Sequence, residues 1–185
     1  MSEKLLMLVG IITISTSKVK DPESDVSGPT LETLFSESKV LKDVKIYRRD
    51  IINDQMQRIV AHLESFATNG CDVVITTGGT GFAPDDVTPE ATRKVIQREC
   101  NGIVQALINR SLAATPMAAL TRLVAGIRDH TLIINLPGSP KACKECFEVL
   151  EPILNHAVDL LKNAKTDIAQ VHSEIQMEGS IEEVQ

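Results

Sequence analysis

Residues 71–90 read C-D-V-V-I-T-T-G-G-T-G-F-A-P-D-D-V-T-P-E, and the fold is decided by how this stretch is read. Cys71 to Ile75 form a short run rich in β-branched residues, which suits a strand covered on both faces. Gly78, Gly79 and Gly81 follow at once, so the chain must turn sharply there and its backbone N–H groups are free to approach a ligand. Thr88 as N-cap, Pro89 at the first helical position and Glu90 in the first turn then announce a helix. Strand, glycine turn and helix in immediate succession form half of a βαβ unit, whose ligands bind beyond the carboxyl ends of the strands.

The same alternation continues outward in both directions. Residues 5–14 are an apolar run rich in Val and Ile, read as a core strand. Glu3 cancels Lys4 ahead of it, no small-x-small cleavage site follows, and the run is too short for a bilayer, so neither a signal peptide nor a membrane anchor is expected. Asp21-Pro22 and Gly28-Pro29 mark a loop before a helix over about 30–36 and a short strand at 44–47. Within residues 54–68, Met56, Ile59, Val60, Leu63 and Phe66 recur at helical spacing, and Asn69-Gly70 ends that helix. Further helices are predicted over about 89–99 and 104–112, and a strand over 131–136. Two more helices, at about 141–150 and 153–162, are separated by Pro152. This pattern defines an α/β domain with a mostly parallel sheet.

Composition narrows the function classes. The 185 residues are 43% apolar, enough for one sizeable core without a disulfide or metal staple. Of the net charge of −6, residues 165–185 hold Asp167, Glu174, Glu178, Glu182 and Glu183 against Lys165, so the chain divides into one domain over 1–164 and an acidic, flexible tail over 165–185. There is no Trp, one Tyr and no basic stripe, which argues against a nucleic-acid partner. Cys71, Cys100, Cys143 and Cys146 are too irregularly spaced for a disulfide framework and fit reduced thiols in the cytoplasm. The Cys143-x-x-Cys146 pair falls in a helical pattern with no second ligating pair, and the four histidines lack metal-ligand spacing.

The chemistry is expected in the loop at 76–88. It is neither a G-K-[ST] phosphate loop nor a G-x-G-x-x-G fingerprint. Asp85-Asp86 distinguishes it, because adjacent carboxylates are costly to crowd unless a cation or ligand donors compensate them; the plainer alternative is a solvated acidic turn supporting the helix start. L-P-G-S-P at 136–140 is a second strand end that turns on a glycine into a helix. It either shares the ligand or is an ordinary connection. Ser15 and Ser17 either donate to a ligand or satisfy their own loop backbone. Arg122 and Arg128 read as phosphate clamps or as subunit salt bridges.

T-T-G-G-T-G-F-A-P-D-D-V-T-P-E-A-T at 76–92 and G-I-R-D-H-T-L-I-I-N-L-P-G-S at 126–139 together resemble the molybdopterin adenylyltransferases, namely the Mog-type bacterial enzymes and the G domains of gephyrin and its plant counterpart. The likeness covers nearly all of residues 4–164. It implies a three-layer sandwich of the MoaB/Mog-like type, assembled as a homotrimer. The implied reaction transfers AMP from ATP to the phosphate of molybdopterin with release of pyrophosphate. Mg²⁺ is the implied cofactor, and the implied downstream partner is a molybdate-inserting domain or protein. The matching positions make Asp86 and Asp54 catalytic, with Asp86 also the Mg²⁺ ligand. Thr76, Gly78, Gly79, Thr80 and Gly81 match the phosphate- and pterin-binding loop. Ser15, Ser17, Ser27 and Gly28 match binding positions after the first strand, and Pro137, Gly138 and Ser139 match the second binding turn.

Three positions depart from the resembling pattern. Thr16 stands where an aspartate is usual, and Val26 and Asp85 each stand where an arginine is usual, which leaves the neighbourhood less positive where polyphosphate would bind. These departures motivate an alternative: a trimeric molybdopterin-binding or scaffold module with reduced or no catalysis.

Overall fold

Three strands have almost no water-facing residue, and they form the middle of the molecule. In the computed structural model, which describes residues 6–163, β1 (Met7–Ile14) buries every residue except Leu8, and β3 (Val73–Thr77) and β6 (Thr131–Leu136) bury all of theirs. With β2 (Val44–Ile52), β4 (Arg98–Glu99) and β5 (Ala125–Arg128) they build one sheet of order β2-β1-β3-β6-β5-β4. The first four strands of that order are parallel; β5 runs antiparallel to β6, and β4 antiparallel to β5.

Alternation along each strand serves two helical layers. Val9, Ile11, Val73, Ile75, Leu132 and Ile134 face α2 (Ser27–Glu37), α5 (Asn101–Ala114) and α6 (Pro140–Asn163). Ile12, Ile14, Val74 and Ile133 face α3 (Met56–Thr68) and α4 (Thr88–Val95). The architecture is therefore the three-layer, mostly parallel sandwich that the sequence pattern and the resemblance imply. No helix among the described residues is long and apolar enough to cross a membrane. The acidic segment 165–185 lies outside the described residues.

Several boundaries differ from the sequence expectation, each for a physical reason. β2 runs on to Ile52, past the expected end at 47, because as an edge strand it tolerates the exposed Arg48 and Arg49. Arg48 also lies over the Tyr47 and Phe66 rings. The helix expected from about 30 begins at Ser27, and Pro29 is accommodated in its first turn, where its missing N–H has no partner to lose. The helix expected to reach 99 ends at Val95; the chain then enters β4, whose two exposed residues carry no periodic signal. Pro152 does not separate two helices, since α6 is continuous from Pro140 to Asn163. Phe147, Leu150, Leu154, Val158 and Leu161 form one buried stripe through the proline. At about 1.5–3 kcal/mol for each buried side chain, that stripe outweighs the roughly 3 kcal/mol a helical proline costs.

Cys143 and Cys146 are buried against the sheet from α6, so they act as core residues. Burial pushes the Cys71 thiol from its ordinary 9.0 up to about 12, and pushes the thiols of Cys143 and Cys146 up to about 11. Above the ordinary thiol value the unfolded chain releases protons that the folded chain still holds, so stability falls as pH rises through that interval. Urea midpoints at about pH 8 and about pH 10.5 are expected to show the second lower, with a shallower drop in Cys71→Ala.

The sheet order also fixes where a ligand fits. From β1 the chain moves to β2 on one side, then returns across β1 to β3 on the other. The carboxyl ends of β1 and β3 therefore diverge into a crevice, the usual ligand position in an open parallel sheet.

Candidate active site

That crevice is a cleft of about 270 Å³. Thr13 and Ser15 enter it from the end of β1, Asp54 from just beyond β2, and Gly78 and Gly79 from just beyond β3. Gly138 enters from the turn after β6, and Asp85 and Asp86 from the loop before α4. Lys18, on the short helix α1 (Thr16–Lys20), joins Asp25 and Ser27 to complete the wall. Glycine is required at the centre. Gly78 has φ +98°, a Cβ there would sit 2.3 Å from the Ile14 carbonyl oxygen, and Gly138 packs against its Cα.

Hydrogen bonds aim the carboxylates. Asp54 Oδ2 accepts from the backbone N–H of Thr16 at 2.6 Å and from the Thr16 hydroxyl at 3.0 Å. Its other oxygen lies on the side of Gly79, 3.1 Å from where a Cβ would stand. Thr16, at the position where the resembling enzymes carry an acid, is thus a neutral donor to Asp54. Asp86 Oδ2 accepts from the Ala83 N–H at 2.9 Å, which closes the loop on itself. Asp25 is buried and accepts from the Thr13 hydroxyl, the Gly28 N–H and Arg49.

Arg122, expected from the sequence as a phosphate clamp or a subunit salt bridge, is held within this chain by the loop it faces. Its Nε donates to the Gly81 carbonyl at 2.8 Å, its Nη2 donates to the Asp86 carbonyl, and its Nη1 pairs with Glu90. Its backbone N–H also donates to the Thr80 carbonyl. One planar guanidinium therefore holds both ends of the loop that carries Asp85 and Asp86. An ammonium cannot reproduce that fork. Arg122→Lys is expected to speed hydrogen exchange in residues 81–87 and lower activity about tenfold, with the global unfolding midpoint little changed. Arg128 donates to the Val95 carbonyl and pairs with Glu64, away from the cleft.

Of the residues expected from the sequence, Asp54, Asp86, Gly78, Gly79, Ser15, Ser27 and Gly138 border this cleft. The others lie behind or beside it. Thr76 is buried on the α4 side of β3, where Asn135 Nδ2 donates to it and to Thr92. Thr80 is hydrogen-bonded to Thr121, the Pro137 carbonyl accepts from Thr77, and Ser139 accepts from the Ala142 N–H at the start of α6. Ser17 bonds Ser15, and Gly28 packs against Asp25 and Thr13. Thr88 is not a side-chain N-cap. Its hydroxyl donates to the Gly78 carbonyl at 3.0 Å, and the residue preceding the helix is Val87. Sequence reasoning missed Thr13, Lys18 and Asp25 as wall residues; only Asp25 left a trace, as an acid three residues before the Gly28 N–H that it accepts.

On the other side of the 82–87 loop lies a wider concavity of about 510 Å³, lined by Phe82, Pro84, Val87, Glu90 and Arg122, and Asp86 borders both spaces. Among the described residues no three His, Cys, Asp or Glu side chains form a metal cluster. A divalent ion in the 270 Å³ cleft would take one or two carboxylates, with Asp54 and Asp86 the donors of the right kind.

A chain with glycine turns and aimed carboxylates at the switch point of its sheet belongs to the doubly wound α/β class, whose small ligands bind beyond the carboxyl ends of the strands. Residues 10–156 match the family described as probable molybdopterin binding domain, and the chain belongs to that family. It is 38% identical over 154 residues to a molybdopterin adenylyltransferase of Helicobacter pylori, covering 83% of this chain and 86% of that one. It is 40% identical over 171 residues to the molybdenum cofactor synthesis protein cinnamon of Drosophila melanogaster, covering 90% of this chain but only 28% of that protein. It likewise spans 24% of the length of Dictyostelium discoideum gephyrin. Among solved structures, the molybdopterin biosynthesis enzyme MoaB of Thermus thermophilus superposes with a TM-score of 0.77 at 37% identity, over 84% of this chain and 96% of that one.

Proposed function

We propose that this chain is a molybdopterin adenylyltransferase of molybdenum cofactor biosynthesis. The observation that carries this reading is the convergence of Asp54 and Asp86 with the Gly78-Gly79 backbone at the β1/β3 crevice, supported by the Helicobacter pylori relative of nearly equal length. In the reaction, a phosphate oxygen of molybdopterin attacks the α-phosphorus of ATP, the bond to the β-phosphate breaks, and pyrophosphate leaves. Such a transfer needs alignment and charge neutralisation more than covalent help. The cleft and the wider concavity supply two adjoining spaces for two substrates, with Asp86 at their border. Arg122 keeps that border fixed. Asp54 and Asp86 would hold Mg²⁺, which supplies neutralisation of phosphate charge when bound.

Three further features belong to the same proposal. The protein works as a homotrimer, which sedimentation would test. Its site of action is the cytoplasm, in keeping with its buried, protonated thiols. A separate or fused molybdate-inserting partner takes its product; relatives of which this chain matches only 28% and 24% support this.

Incubation of the full chain with molybdopterin, ATP and Mg²⁺ is expected to yield adenylylated molybdopterin and pyrophosphate. Molybdopterin retained without turnover would instead identify the binding or scaffold module.

A further inference from the structure

The side chains that border the cleft include four carboxylates, those of Asp25, Asp54, Asp85 and Asp86, and Lys18 is the one cation among the described residues of that wall. The nearby arginines are engaged elsewhere. Arg49 pairs with Asp25 and Glu32, and Arg122 is taken up by the loop carbonyls and Glu90. Lys18 forms no ion pair with any described residue, although it shares a wall with four acids. It is held on neutral oxygens instead. Its Nζ donates to the Ser24 carbonyl at 2.7 Å and to the Ser24 hydroxyl at 3.1 Å. Those two bonds occupy two of the three ammonium hydrogens and fix a flexible side chain in advance, leaving the third donor and the whole charge for something else.

Resting on the reading above, we infer that Lys18 is the phosphate-binding cation of this cleft, donating to phosphate oxygens of molybdopterin or of ATP. The Ser15 hydroxyl and the glycine turns offer an anion neutral contacts, but they give it no charge, and the Ser27 hydroxyl is already donated to the Gly138 carbonyl. An anionic ligand surrounded by carboxylates needs at least one fixed positive charge beyond any ion it brings with it. The location of Lys18 on the five-residue helix α1, which contributes no buried residue, fits a ligand contact better than a place in the core.

The test compares the wild type with Lys18→Met and Lys18→Arg, reading KM for ATP and for molybdopterin, kcat, the unfolding midpoint, and calorimetric binding of inorganic pyrophosphate. Lys18→Met is expected to raise KM for one of the two phosphate-bearing substrates about tenfold or more, with kcat within about threefold and the midpoint unchanged. Lys18→Arg is expected to keep most of the affinity, and whichever substrate responds identifies the phosphate contacted. Unchanged KM values and pyrophosphate binding in Lys18→Met would overturn the assignment alone, with the adenylyltransferase reading intact. Equal damage in both variants with a lowered midpoint would also overturn it, showing that Lys18 only braces the turn at Ser24. A wild type that binds neither substrate would overturn the reading of the cleft, and the assignment with it.

Discussion

Replacing Gly78 with alanine is expected to remove the ligand cleft and to destabilise the protein by several kcal/mol. Gly78 has φ +98°, a region that L residues rarely adopt, and a methyl group there would lie 2.3 Å from the main-chain oxygen of Ile14. That oxygen belongs to the last residue of β1, a central strand, and cannot swing aside as a side chain could. The peptide at Gly78 is also tied from both sides, since its N–H donates to the Leu136 carbonyl and its carbonyl accepts from the Thr88 hydroxyl. Backbone strain of about 1–3 kcal/mol and overpacking of about 1–3 kcal/mol therefore act together. Urea denaturation measures the stability loss, and molybdopterin binding measures the loss of the cleft. Gly81→Ala is the contrasting case. Its methyl would meet only the end of the Asp86 side chain, so it should cost much less stability while still disturbing that carboxylate. Equal stability of Gly78→Ala and the wild type, with binding retained, would show that the turn is free to move.

The contrast between these glycines indicates how much the sequence could reveal. A buried strand ending in clustered glycines is local information, and β3 with its turn is legible in residues 71–81 alone. The partners of that turn are not local. Ile14 and Gly138 meet Gly78 only because β1 and β6 are both neighbours of β3, an order that periodicity leaves open. Thr88 shows the same limit. A threonine before Pro-Glu at a helix start reads as an N-cap, yet its hydroxyl is captured by a carbonyl ten residues earlier. Asp54 was found through resemblance, but its use of Thr16 depends on the ends of β1 and β2 lying side by side. Lys18 stayed hidden because α1 is too short for a hydrophobic pattern. Arg122 was noticed as a cation, and the sequence carried no sign that its acceptors would be main-chain carbonyls.

The same reasoning sharpens what the departures mean. Val26 is 57% exposed and contributes nothing to the cleft wall, so the loss of a cation there leaves the hydrogen bonding around Asp25 untouched. Asp85 does border the cleft, and adds negative charge beside Asp86. Charge at this site is therefore not something each position contributes alone. It depends on which carboxylates already have partners, and among the described residues Asp25 has Arg49 while Asp54 has the neutral donors of Thr16.

That difference makes Asp54→Asn the substitution with the largest expected effect on activity. An asparagine oxygen can still accept from the Thr16 N–H, so the start of α1 stays in place and stability should change by less than about 1 kcal/mol. The substitution removes the negative charge facing Gly79, and with it one of the two carboxylates that would hold Mg²⁺ in the proposed reaction. A fall in kcat/KM of about 10²–10³-fold is expected from the loss of one such preorganised group. Thr16→Val provides the control. It removes the hydroxyl that donates to Asp54 but keeps the backbone N–H, so the carboxylate remains and activity should stay within about tenfold of the wild type. If Thr16→Val were as damaging as Asp54→Asn, the orientation of the side chain would matter more than its charge. If Asp54→Asn turned over at the wild-type rate, Asp54 would be a brace for α1 alone, and Asp86 would have to supply the chemistry without it.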